Sequence, residues 1–166
     1  MKRIVGNIAG YHGIRGEIKI YPLVDDIQLF KTFENLFILD TVYKPLSIRF
    51  HKDFVLVVLD GITNLNQAQE LKGYVSADIN EELEKNEFYV SDLIGLSVFD
   101  QVNNEIGVVS NYSKVGQKLL FIKLFDEFKA KSELLIPFVE EYIISVNPSK
   151  KKLQINLTEE LLELCR

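Results

Sequence analysis

The residue types best suited to chemistry lie near the start of the chain. Gly6, Gly10, Gly13 and Gly16 fall within eleven positions, with His12 and Arg15 between the last three of them. Glycines beside cations are one way to bring backbone amides up to a phosphate. A Walker-type loop needs a Gly-Lys-Ser/Thr ending, and the chain has none. A dinucleotide fingerprint needs Gly-x-Gly-x-x-Gly between a strand and a helix. Here Gly10, Gly13 and Gly16 are spaced by three, and a strand pattern follows: Ile18 and Ile20 alternate with Glu17 and Lys19. No helix N-terminus is offered to an anion. The glycines therefore read as structural turn glycines. Gly13 supplies a positive φ, Gly16 allows a bend or a close approach, and Gly10 stands beside them. His12 and Arg15 then project from a loop between two strands.

Other reactive side chains are sparse. His12 and His51 are the two histidines, and Cys165 is the single cysteine. These cannot make an internal disulfide, and they are a poor metal set. The expectation is a reducing, cytoplasmic setting with no metal and no cofactor. There is no Gly-x-Ser-x-Gly elbow and no His-Glu-x-x-His. The carboxylate pairs Asp25-Asp26, Glu81-Glu82, Glu140-Glu141 and Glu159-Glu160 are adjacent in sequence, so their side chains point apart. The chain does not read as an enzyme. Phe88 and Tyr89, after a polar stretch, suit either an interface anchor or the packing of a second domain. Lys150, Lys151 and Lys152 could touch phosphate or form a solvated strand end.

The elements that must position these groups are mostly strands. Ser47 and Arg49 alternate with Leu46, Ile48 and Phe50, a period of two. Phe54 to Leu59 is continuously apolar, as in a strand covered on both faces. Asp25 or Asp26 can cap a short helix, and Asn64 can cap another with Gln67 in a capping box and Gly73 at its end. Asn103-Asn104 suits a hairpin turn, Pro137 an edge strand, and Asn147-Pro148-Ser149 a further turn. Thr158 can cap a terminal helix. The pattern gives a mainly β protein with a β-barrel or sandwich in each half, and a few short helices including one at the C-terminus. The domains are read as 1–80 and 88–166, joined by an acidic linker over 81–87.

Charge narrows the partners. The 166 residues carry a net charge of −5 and a pI near 5.1. Neither half is basic, so binding to naked nucleic acid through net charge alone is disfavoured, and a basic protein partner is favoured. No signal peptide or membrane helix is expected.

Taken in order, GNIAGYHGIRGEIKIYPL, VLDGITNLNQAQELKGY, EFYVSDLIGLSVFD, NEIGVV and LLIPFVEEYI resemble the RimM family of ribosome maturation factors. The resemblance implies an N-terminal RimM-type barrel and a C-terminal PRC-like barrel opened by the DLIG segment. It implies a non-enzymatic factor that binds the immature small (30S) ribosomal subunit and assists head assembly and 16S rRNA processing. The second barrel is implied to bind small-subunit ribosomal protein nineteen through Phe88, Tyr89, Asp92 and Leu93. The first is implied to lie near rRNA, with His12, Arg15 and Lys19 facing it. Such a factor works in the cytoplasm, as a monomer. The family usually has two tyrosines before DLIG; here Phe88 keeps the ring without the hydroxyl. Gln67 and Gln69 stand where the family often has Arg and Glu.

Overall fold

A computed structural model describes residues 1–80, 87–125 and 133–163. The chain divides into two compact units, Met1–Tyr89 and Val90–Arg166. Both are β-rich, and the fold is two small β-barrels with short helices. Of the acidic linker only Glu87 lies among the described residues, where it is exposed; Cys165 lies outside them.

The first unit holds β1 (Lys2–His12), β2 (Glu17–Pro22), β3 (Leu36–Ile38), β4 (Thr41–Tyr43), β5 (Pro45–His51), β6 (Phe54–Leu59) and β7 (Tyr74–Asp78). They form one sheet in the order β4-β3-β7-β1-β2-β6-β5, with every neighbouring pair antiparallel. The edge strands β4 and β5 are consecutive in the chain, with Lys44 alone between them. One residue spans only about 3.5 Å, so the sheet must curl until its two edges meet at that corner. The Asp60 amide ties the end of β6 to it by donating to the Lys44 carbonyl at 2.9 Å. The interior fills from alternate positions, with Ile18, Ile20, Val55 and Val57 fully buried beside Phe30 and Leu36.

Bulges modify the alternation read from sequence. In β1, Ile4 pairs with Ser76 and Gly6 with Val75, which leaves Val5 as the extra residue. Val5 is fully buried, whereas Ile4 and Ile8 are only half-buried. A second bulge leaves Ala9 unpaired between the Ile8–Ile20 and Gly10–Lys19 pairs. In β5, Pro45 pairs with Leu59 and Ser47 with Val58, so Leu46 is extra. Leu46 is 60% exposed, while Ile48 and Phe50 pack on the core. An inserted residue breaks the period of two on its own strand.

The capping residues behave as their chemistry requires. The Asp26 carboxylate accepts from the Gln28 amide at 2.9 Å and starts a 3-10 helix over Ile27–Thr32. The Asn64 side chain accepts from the Gln67 amide at 2.9 Å and starts α1 (Leu65–Gln69). The Gln67 side chain accepts from the Thr63 amide at 2.8 Å, one residue before the position a standard capping box would use. Helix α1 ends at Glu70; Gly73, at φ +84°, instead serves the turn into β7, and its carbonyl accepts from the Ile8 amide.

The second unit holds α2 (Val90–Leu93), β8 (Ser97–Phe99), β9 (Glu105–Ser113), β10 (Leu119–Leu124), β11 (Leu134–Pro137), β12 (Ile143–Asn147), β13 (Lys152–Ile155) and α3 (Glu159–Glu163). Its sheet runs β11-β10-β9-β8-β13-β12, with β8 and β13 parallel. Pro137 sits on an edge strand, where its missing N–H costs no ladder bond. The two edges, β11 and β12, are again consecutive, joined through residues 138–142. The Val139 carbonyl accepts from Tyr142 and Ile143 and folds that connection into a tight turn. Asn103 turns β8 into β9 at φ +70°, with the Asp100 carboxylate accepting from the Val102 and Asn104 amides.

Candidate functional site: a cationic and aromatic face on the first barrel

The glycine-rich stretch forms the end of β1 and its turn into β2. Gly13 has φ +71° and Gly16 φ +78°, conformations that favour glycine. Gly16 is also crowded: a Cβ there would lie 2.8 Å from the Asn64 carbonyl carbon, at the start of α1. Gly10 differs from the expectation. It lies within β1, opposite Lys19 and next to the bulge at Ala9, without a positive φ. The Tyr11 hydroxyl donates to the Leu71 carbonyl at 2.6 Å and anchors the strand below the turn. His12 and Arg15 are exposed, and Ile14 at the tip is 86% exposed.

Strand register adds residues to this region that the sequence left separate. On β2, Glu17, Lys19 and Tyr21 are half-buried and alternate with Ile18 and Ile20 in the core, so they line the outer face. Lys19 pairs with Leu56 of β6, and Leu56 with Arg49 of β5. Leu56 is buried yet lies outside the core cluster that holds Val55 and Val57. It is flanked in its row by two long cationic side chains. Phe54 pairs with His51 across β6 and β5. The rings of Tyr21 and Phe54 meet edge to face, with centroids 5.8 Å apart.

Two contacts organise the charges. Arg49 grips Glu17 with both branches of its fork: Nη2 donates to Oε1 at 2.6 Å and Nε to Oε2 at 3.1 Å. The Lys19 ammonium lies 3.9 Å from the centre of the Phe54 ring. Hydrogen bonding to Glu17, opposed by partial desolvation and helped by the carboxylate's charge, raises the Arg49 pKa. Burial, aided by the negative charge of Asp53, pushes the Tyr21 phenol above its ordinary value. Near neutral pH the face presents a fixed guanidinium and a neutral phenol.

The segment read as a protein-binding site is divided between the units. Tyr89 is half-buried, packs against the first unit's core, and has the Arg3 guanidinium 5.0 Å from its ring centre. Its partner cation is on β1, so this ring packs on the first barrel. Phe88 is half-buried. Asp92 is half-buried on α2 of the second unit, and Leu93, 1% exposed, belongs to the interior there. As placed here, Leu93 can support a surface but not touch a partner. In the lysine trio, Lys152 lies 4.2 Å from the Phe99 ring centre and bonds the Asn103 side chain. Among the described residues no group of three or more His, Cys, Asp or Glu could hold a metal ion. No helix among them is long and apolar enough to cross a membrane.

Tyr21, Arg49, His51 and Phe54 are the residues that sequence reasoning missed. Their alternation was visible strand by strand. The signal that unites them is the β2-β6-β5 neighbour order, which alternation does not carry.

The two barrels, in this order, define a two-domain class in which an N-terminal barrel precedes a PRC barrel. Residues 4–82 match the RimM N-terminal domain, and residues 90–161 match the RimM PRC barrel domain. The chain belongs to the RimM family. It is 36% identical over 168 aligned positions to the ribosome maturation factor RimM of Leuconostoc mesenteroides, covering 96% of this chain and 95% of that one. It is 34% identical to that of Exiguobacterium sibiricum, with 96% of each covered. A solved structure, titled a 16S ribosomal RNA processing protein RimM from Pseudomonas aeruginosa, is similar at 21% identity and a TM-score of 0.44, covering 96% of this chain and 99% of that one.

Proposed function

We propose that this chain is a ribosome maturation factor that binds the immature small (30S) subunit and acts there without catalysis. The observation that carries this reading is the match of both barrels, in order, to the two domains of the RimM family. Relatives aligned over nearly the whole length bear the name ribosome maturation factor. The finer reading is that the second barrel, with Phe88, Tyr89 and Asp92, engages small-subunit ribosomal protein nineteen. The first barrel then lies near 16S rRNA. Binding assists head assembly, and processing of 16S rRNA follows from the better-folded precursor.

A binding protein can shift an assembly equilibrium only by its differential affinity for the two states. It must therefore hold the immature head more tightly than the finished one. A net charge of −5 suits a basic ribosomal protein as the first contact. Cosedimentation tests the reading: the chain should travel with immature small subunits and leave mature ones. Equal binding to both would remove the proposed mechanism. Calorimetric titration with purified ribosomal protein nineteen should show saturable one-to-one binding, weakened by the double variant Phe88→Ala, Tyr89→Ala. No heat from two folded proteins would strike that partner from the proposal.

A further inference from the structure

We infer that the outer face of β2, β6 and β5 binds single-stranded RNA, and that the free protein covers this face's two recognition groups with its own side chains. The inference deepens the proposed function and rests on its rRNA partner. It assigns to that partner Arg49, Tyr21 and Phe54, alongside Lys19.

Unpaired nucleic acid is held by cations on the phosphates and by aromatic faces on which bases stack. This face carries both within three adjacent strands. The Arg49 fork is engaged by the two oxygens of Glu17, in the bidentate geometry with which such a fork grips a phosphate. Glu17 thus stands where a phosphate would stand. The Arg49 side chain is 52% exposed and that of Glu17 only 13%, so Arg49 is the member free to swing outward. The Lys19 ammonium covers the Phe54 ring. A base that takes its place on the ring releases the ammonium toward the backbone of the same strand. Tyr21 stays packed against the ring. His51, exposed and opposite Phe54, can hydrogen-bond the edge of a stacked base.

The rings beside the cations favour RNA over an acidic protein, which would use the charges but not the stacking surface. The chain is acidic overall, yet on this face Lys19 and Arg49 stand with Glu17, while Arg15 lies in the turn before β2 and Lys52 and Asp53 in the turn between β5 and β6. Self-covering suits such a chain: stray polyanions meet an occupied surface, and only a ligand that offers both phosphate and base displaces both covers.

The test is fluorescence anisotropy of the full chain with a labelled oligouridylate of about 12 nucleotides, against a duplex of equal length, over a series of salt concentrations. The single strand should bind more tightly than the duplex. Glu17→Gln should bind roughly 5- to 10-fold more tightly and steepen the salt dependence by about one released ion. Arg49→Gln should weaken binding and flatten the slope, and Phe54→Leu should weaken it roughly tenfold with the slope unchanged. If Glu17→Gln does not fold, the contrasting slopes of the other two variants carry the test. Duplex bound as tightly as single strand, or Glu17→Gln bound no better than the parent, would overturn the inference. So would loss of affinity for ribosomal protein nineteen, rather than for RNA, in Arg49→Gln. A chain that cosediments with immature subunits but ignores the oligonucleotide refutes this inference alone. A chain that binds the oligonucleotide but not the subunits refutes the proposed function instead.

Discussion

The first barrel brings its two sheet edges together through one residue, Lys44, and all its strand neighbours are antiparallel. The second uses five residues, 138–142, and inserts β13 beside β8 as a parallel partner. The first joins three hairpins, β1-β2, β3-β4 and β5-β6, and β7 through the antiparallel pairings β2-β6, β3-β7 and β1-β7. The second depends on joining residues 97–99 to residues 152–154. Close backbone approaches differ as well. Gly16 lies at a turn, pressed against the start of α1, and needs both an unusual φ and an absent side chain. Gly107 lies within β9 against its neighbour β10, and needs only the absent side chain. Each barrel thus has a crowded ladder glycine, Gly6 in the first and Gly107 in the second, and the first adds a crowded turn glycine, Gly16.

The sharpest way to break this comparison is Gly107→Val. Its Cβ would lie 3.0 Å from the Lys123 carbonyl carbon and the Leu124 Cα, backbone that cannot step aside without parting β9 from β10. A loss of about 3 kcal/mol or more is expected in chemical denaturation, confined to the second unit's transition. A loss shared by a single transition would mean that the units unfold together.

Gly16→Ala and Gly13→Ala separate angle from space. Both glycines have positive φ, but a Cβ at Gly13 meets nothing within 4 Å. Gly16→Ala should cost about 2–3 kcal/mol and Gly13→Ala about 1 kcal/mol. Equal costs in thermal unfolding would show that crowding by Asn64 adds nothing.

Two glycines inserted after Lys44 should destabilise the first barrel by about 1 kcal/mol. The same insertion after Glu140 should cost roughly a third as much, because loop-closure entropy grows only slowly once a connection is already several residues long. A reversed order in denaturant midpoints would overturn the account of the one-residue corner.

The smallest expected effect is on pH dependence. Burial raises the Tyr74 pKa above 10.0. The unfolded chain loses that proton first, so the contribution is complete below the unfolded value and disappears as pH rises through the folded one. Tyr74→Phe should flatten the alkaline fall of the first unit's stability slightly; an unchanged slope would assign it to other groups, Tyr21 among them.

Much of this was legible in the residues themselves. Ile18 and Ile20 announced a core-facing strand, and Asp26 and Asn64 their helix starts, because these signals are local; FVLVVL announced a strand but not its open outer face, where Phe54 and Val58 are only half-buried. The mainly β class followed from the same local patterns, while the choice of barrel over sandwich came from the family resemblance. Leu46 was misplaced because a bulge leaves no compositional mark. Tyr89's attachment to the first barrel was hidden because its partner, Arg3, is distant in sequence. The cationic and aromatic face was hidden for the same reason: Arg49 and Glu17 are thirty-two residues apart and meet only once register is fixed.

The parallel pairing of β13 with β8 also sets a timetable for synthesis. All seven strands of the first sheet have been made once Asp78 is added, so that barrel can form while translation continues. The second sheet cannot. Until Ile155 is added, β12 has no neighbour in the ladder and β8 has β9 alone. The first barrel can thus be complete while the second still waits for β13.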